Sequence, residues 1–176
     1  APQTKAAPEP YDKESTPVLV MRQTGEAWDR PFAVIYEPFA GSEDSGSIKS
    51  VSAFKNVSSD FNGFKVVSDV GGHLTTQYIL VNPSPEGVFD DEALGVRFHG
   101  RYGVVSLNED GVCTALYLGE GSELRFGPLV LTSVSGSPIA ASVDLNQAAP
   151  TLTATASAEL RLTDGKIVSS EVIRRN

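Results

Sequence analysis

Between Thr151 and Leu162 the chain alternates without a break. Leu152, Ala154, Ala156, Ala158, Leu160 and Leu162 fall on one parity, and Thr151, Thr153, Thr155, Ser157, Glu159 and Arg161 on the other. A repeat of two is that of an extended strand, so the run predicts one strand with a buried face and a wet face. The small alanines on the inner face let a second layer approach closely, which suits sheet packed on sheet. Asp164-Gly165 has turn chemistry and predicts a closing hairpin with Lys166 to Ile173.

The same grammar runs through most of the chain. Val18 to Arg22 and Phe32 to Tyr36 read as strands around a turn at Gly25. Phe32 to Tyr36 is apolar on both parities and bracketed by Pro31 and Pro38, which predicts a central strand of about six residues. Glu37 beside it is either the first group to reach water or an acceptor for backbone groups in the next turn. Ile48 to Val57 is a further strand region, and Asn62-Gly63 has the chemistry of a tight hairpin turn. Phe64 to Val70 and Leu74 to Val81 flank a second turn at Gly71-Gly72. Leu94, Val96 and Phe98 face inward on a strand whose other parity carries Arg97, His99 and Arg101. Asn108 to Gly111 turns it into Val112 to Leu118, and Gly119-Glu120-Gly121 reads as a short tight turn. Strands at Leu124 to Phe126, Leu129 to Val134 and Ile139 to Leu145 follow.

Short strands with turns every eight to twelve residues, 16 glycines and 11 prolines in 176 residues, and no helical spacing of apolar positions predict an all-β fold. An antiparallel β-sandwich leads, with a jelly roll or partly closed barrel behind it. Residues 1–16 are rich in Pro, Ala and charge and read as a linker or tail; residues 17–176 read as one domain of a size able to bury a core. No apolar run approaches a membrane span, and the first residues lack the layout of a signal peptide, so the chain as given is expected to be soluble.

The formal net charge is -8, the reverse of what neutralising nucleic-acid phosphates requires. It weakens a sulfated glycan as partner without excluding it. The single cysteine, Cys113, lies in an apolar strand pattern and is expected to be buried and inert. With His73, His99 and Cys113 the only nitrogen or sulfur candidates, and no ligand spacing among them, neither a metal nor a cofactor is expected. Asp90-Asp91-Glu92 lacks the pattern of a calcium loop and reads as a solvated turn. No nucleophile elbow or phosphate loop occurs, and no catalytic residue is assigned. Asn56-Val57-Ser58 is a glycosylation sequon, relevant only to a chain secreted by a eukaryote.

Two features could meet a glycan. Arg97, His99 and Arg101 on one strand face could form a row that binds uronate carboxylates. The same three could instead pair with nearby carboxylates such as Glu92 or Glu109. Trp28, the only tryptophan, could stack on a sugar ring, or plug the end of its own core, or dock a neighbouring domain.

The order of several segments carries a further likeness. Arg22, the Gly25-Glu26 turn, RPFAVIYEPF from Arg30 to Phe39, FHGRYGVVSL from Phe98 to Leu107, ALYLGEG from Ala115 to Gly121 and the LRFGPLVL segment together resemble the C-terminal β-domain of heparinase II/III-like polysaccharide lyases. The likeness runs from Pro17 to Leu131. It implies a parent with a helical toroid and a central β-sandwich, which cleaves by β-elimination through tyrosine and histidine residues held between those earlier domains. For this chain it implies a non-catalytic, accessory β-sandwich module that braces the upstream catalytic domains or shapes the glycan cleft, in a secreted or periplasmic enzyme. The alternative is a freestanding carbohydrate-binding module. A complete small enzyme would need a convergent set of titrating groups.

Overall fold

The computed structural model describes residues 3–4, 16–17, 34–37, 46–56 and 59–172. Contacts divide the chain into two units, Ala1–Ile35 and Tyr36–Asn176. In the first, β1 (Gln3–Thr4) and β2 (Thr16–Pro17) pair antiparallel. The Val18 to Arg22 strand, the Gly25 turn, Trp28 and Phe32 lie outside the described residues.

The second unit is all β. It runs β3 (Ile48–Asn56), β4 (Ser59–Val70), β5 (His73–Val81), β6 (Val88–Asp91), β7 (Val96–Leu107) and β8 (Cys113–Phe126). Then come β9 (Leu129–Ser133), β10 (Ile139–Asp144), β11 (Thr151–Ala154), β12 (Ala158–Arg161), β13 (Ile167–Ser169) and β14 (Glu171–Val172). Every pairing is antiparallel except β11 with β14. The main path, β13-β12-β9-β8-β7-β5-β4-β3, stays open at both ends, so the sheet is no barrel.

Two long strands fold this sheet into a sandwich. The second halves of β7 and first half of β8 pair with each other and with β5 and β10, whereas the first half of β7 and last residues of β8 pair with β6 and β9. The change of neighbours falls at Gly100 and Gly121, which face each other across the ladder. A Cβ on Gly100 would stand 2.6 Å from the Gly121 Cα, and one on Gly121 would stand 2.7 Å from the His99 carbonyl oxygen. Only glycine permits so close an approach of two backbones at a bend. Phe98, Leu124, Leu131 and Leu160 of one layer then share a single buried cluster with Val105, Leu118, Val143 and Leu152 of the other.

The run from Thr151 to Leu162 has the predicted parity, with Leu152, Ala154, Ala158 and Leu160 buried. It is two strands, however. β11 pairs with β10 in the first layer and β12 with β9 in the second, so the chain crosses the sandwich at residues 155–157 while keeping one face inward. The closing hairpin divides in the same way: β13 pairs with β12, and β14 returns to β11.

Other expectations need correction. Val34 to Glu37 form no strand, and Val34 and Tyr36 are 39% and 74% exposed. The central places belong to the β7–β8 hairpin, whose long ladder outcompetes a short segment flanked by prolines that cannot donate. Asn62-Gly63 lies inside β4, because the β3–β4 ladder already closes at Asn56 opposite Ser59. Gly119 to Gly121 lies inside β8: Glu120 takes φ 49°, and the strand is kinked there without reversing. The turns at Gly71-Gly72 and Asn108 to Gly111 form as predicted. Asn108 Oδ1 accepts the backbone N–H groups of Asp110 and Val112 at 3.1 and 2.9 Å, and Asp69 Oδ1 accepts that of Gly72 at 2.9 Å. Glu37 proves to be the acceptor, receiving the N–H groups of Ser47 and Ile48.

Candidate functional site

Alternation along β7 places Val96 and Phe98 in the core and leaves Arg97 exposed and His99 half-buried. Beyond Gly100 the inward parity shifts by one, to Gly103, Val105 and Leu107. Arg97 and His99 thus share the outer face of the second layer, while Arg101 sits past the bend, level with Glu120.

Each member of the trio has a partner close by. Arg97 Nη1 lies 3.3 Å from Asp90 Oδ2, and its Nε lies 3.6 Å from Glu123 Oε1. His99 Nδ1 and Ser122 Oγ are 3.0 Å apart. Arg101 Nη1 is 3.2 Å from Glu120 Oε2, yet its Nε is buried with no hydrogen-bond partner among the described residues. The carboxylates that pair with these cations are Asp90, Glu120 and Glu123; Glu109 instead stands 3.9 Å from the His73 ring. Nearby, Glu86 is held below the usual carboxylate range by its own backbone N–H and the Ser84 side chain, with Arg101 and His99 adding to the effect. Beneath the strip, buried Asn82 donates to the Gly100 carbonyl at 2.9 Å and pins the bend. The strip can hold polar and charged groups from solvent, and its pairs at the surface exchange readily with water.

A second feature opens at one end of the sandwich, between the layers. Val112, Cys113 and Leu145 from the first layer and Phe126, Leu129 and Leu162 from the second line an apolar cavity of about 410 Å³. Val112 at its rim is 58% exposed. Burial pushes the Cys113 thiol up to about 11, which makes it a poor nucleophile at neutral pH. Nothing in the local sequence announces this cavity, since its lining comes from the ends of four separate strands and the β12–β13 turn. Among the described residues no group of three or more His, Cys, Asp or Glu could hold a metal ion, and no helix is long and apolar enough to cross a membrane. Of the predicted glycan contacts, Trp28 lies outside the described residues.

Comparison with known proteins adds a family. The family model described as the endo-acting ulvan lyase C-terminal domain matches residues 48–144, from the first residue of β3 to the last of β10. An endo-acting ulvan lyase of Formosa agariphila is 35% identical over 133 residues, which is 76% of this chain and 16% of that protein. The match therefore spans about a sixth of the relative's length. No solved structure matches.

Proposed function

The chain belongs to the family of endo-acting ulvan lyase C-terminal domains, and on that premise we propose that it is a non-catalytic accessory module of a polysaccharide lyase acting on ulvan. Its work is to brace the catalytic domains of the same chain or to shape one edge of their glycan cleft. The observation that carries this reading is the apolar cavity between the layers, rimmed by exposed Val112. A neighbouring domain seated there would remove Val112, Leu145 and Leu162 from water, the usual gain at an interface within a chain. That the parent follows the plan of heparinase II/III-like lyases is part of the proposal, supported by the order of segments from Pro17 to Leu131. So is a secreted or periplasmic location, because an endo-acting enzyme must meet its polymer outside the cytoplasm.

Two measurements test it. The chain incubated with ulvan, followed by the ultraviolet absorbance of unsaturated uronate ends, should yield no product; steady product formation would overturn the accessory role. In the parent lyase, Val112→Asp should loosen the module, seen as faster proteolysis at its junction with the catalytic part. Unchanged proteolysis would remove the cavity as the docking surface.

A second reading, a freestanding carbohydrate-binding module using Trp28, Arg97, His99 and Arg101, is favoured by the buried Nε of Arg101, which has no hydrogen-bond partner among the described residues. Binding on a glycan array that is lost in Trp28→Ala would promote it.

A further inference from the structure

The strand register lays two rows across the outer face of the second layer. In one, Asp90 stands opposite Arg97, Arg97 opposite Arg125, Arg125 opposite Val130, Val130 opposite Arg161, and Arg161 opposite Ile167. In the next, His99, Glu123, Thr132 and Glu159 follow one another. Three arginines distant in sequence thus come to lie in one line.

They are not equivalent. Arg97 is engaged by Asp90 and Glu123. Arg125 and Arg161 are exposed and have no ion pair or side-chain hydrogen bond among the described residues. Both line a polar cavity of about 240 Å³, together with Glu123, Thr132, Glu159 and Ile167. Arg97 directly opposite Arg125 is a like-charge cross-strand pair, whose cost Asp90 and Glu123 offset on the Arg97 side and no ion pair offsets at Arg125 among the described residues. Arg125 and Arg161 are two strands apart, about 10 Å between backbones at the usual spacing. Side chains as long as arginine can close that gap over Val130.

We propose that the cleft between Arg125 and Arg161 binds an oxyanion substituent of an acidic polysaccharide, either a carboxylate or a sulfate ester. Each guanidinium presents a planar fork matched to such a group. Glu159 and Thr132 in the adjoining row can take the hydroxyls that flank an oxyanion on a sugar ring. The choice of a polysaccharide over other oxyanions rests on the accessory-module reading; the arginine geometry does not. In a chain of net charge -8 the attraction is local to this face, so binding is weak per sugar and is lost at high salt.

Electrophoresis of the chain through gels containing polygalacturonate, dextran sulfate or neutral dextran tests this at low ionic strength. Retardation is expected in at least one acidic gel and not in dextran. Polygalacturonate alone would assign the carboxylate, dextran sulfate alone the sulfate. Arg125→Gln with Arg161→Gln should lower affinity tenfold or more, Arg125→Lys with Arg161→Lys less, and Arg97→Gln by threefold or less, all with an unchanged circular dichroism spectrum. No retardation in either acidic gel, or retardation indifferent to the double glutamine change, would overturn the site. Docking is read from Val112→Asp in the parent lyase, so failure of one leaves the other standing.

Discussion

Cys113 looks like a reactive residue in composition, as the only thiol, and like a core residue in context. Its environment decides. It lines the apolar cavity, half-buried, and burial raises its pKa from the ordinary 9.0 to about 11. Iodoacetamide at pH 8 should therefore alkylate it at least tenfold more slowly than free glutathione, because the thiolate is the reacting form. A group whose folded value is raised favours the folded state below its unfolded value and loses that contribution as pH climbs through the folded one. The melting temperature of the native chain should thus fall more steeply between pH 9 and 11 than that of Cys113→Ala; parallel curves would mean the thiol is open to water. The sequence disclosed the apolar strand around Cys113, but not that strand ends from both layers meet beside it.

At the scale of elements, the β7–β8 hairpin organises the second unit, and its bend depends on two glycines. Gly100→Ala or Gly121→Ala should destabilise by about 1–3 kcal/mol in urea unfolding, the range for forcing extra atoms into a packed site. A loss under about 0.5 kcal/mol in both would mean that the two backbones separate easily. The hairpin also explains why the ion pairs escaped a reading of the sequence. Counting outward from Leu107 opposite Cys113 puts Arg97 opposite Glu123. Two register shifts, one between Ser106 and Leu107 and one at the bend between His99 and Gly100, put it opposite Arg125 and leave Glu123 on the diagonal. Bulges are not visible in a pattern of period two. Local turn chemistry misled in the same way at Asn62-Gly63 and Gly119 to Gly121, where a ladder already formed on either side holds the residues inside a strand.

For the molecule as a whole, one apolar cluster serves both layers of the second unit. Phe98 is fully buried in it, and Phe98→Ala should cost about 3–5 kcal/mol. The loss should appear equally in amide hydrogen exchange at Val143 in one layer and Leu131 in the other; protection lost in one layer alone would mean that the layers unfold separately. Strand content, the inward residues Val96, Phe98, Leu152, Ala154, Ala158 and Leu160, and the turns at Gly71-Gly72 and Asn108 to Gly111 were settled by the sequence itself, because alternation and turn conformation depend on residues only a few positions apart. The crossings at residues 155–157 and Ser170, the exclusion of Val34 to Glu37 from the sheet, and the line from Arg97 through Arg125 to Arg161 were settled only in three dimensions. Each depends on which distant strand lies alongside and on bulges that move the register, and those are decided by the competition of long ladders for a shared core.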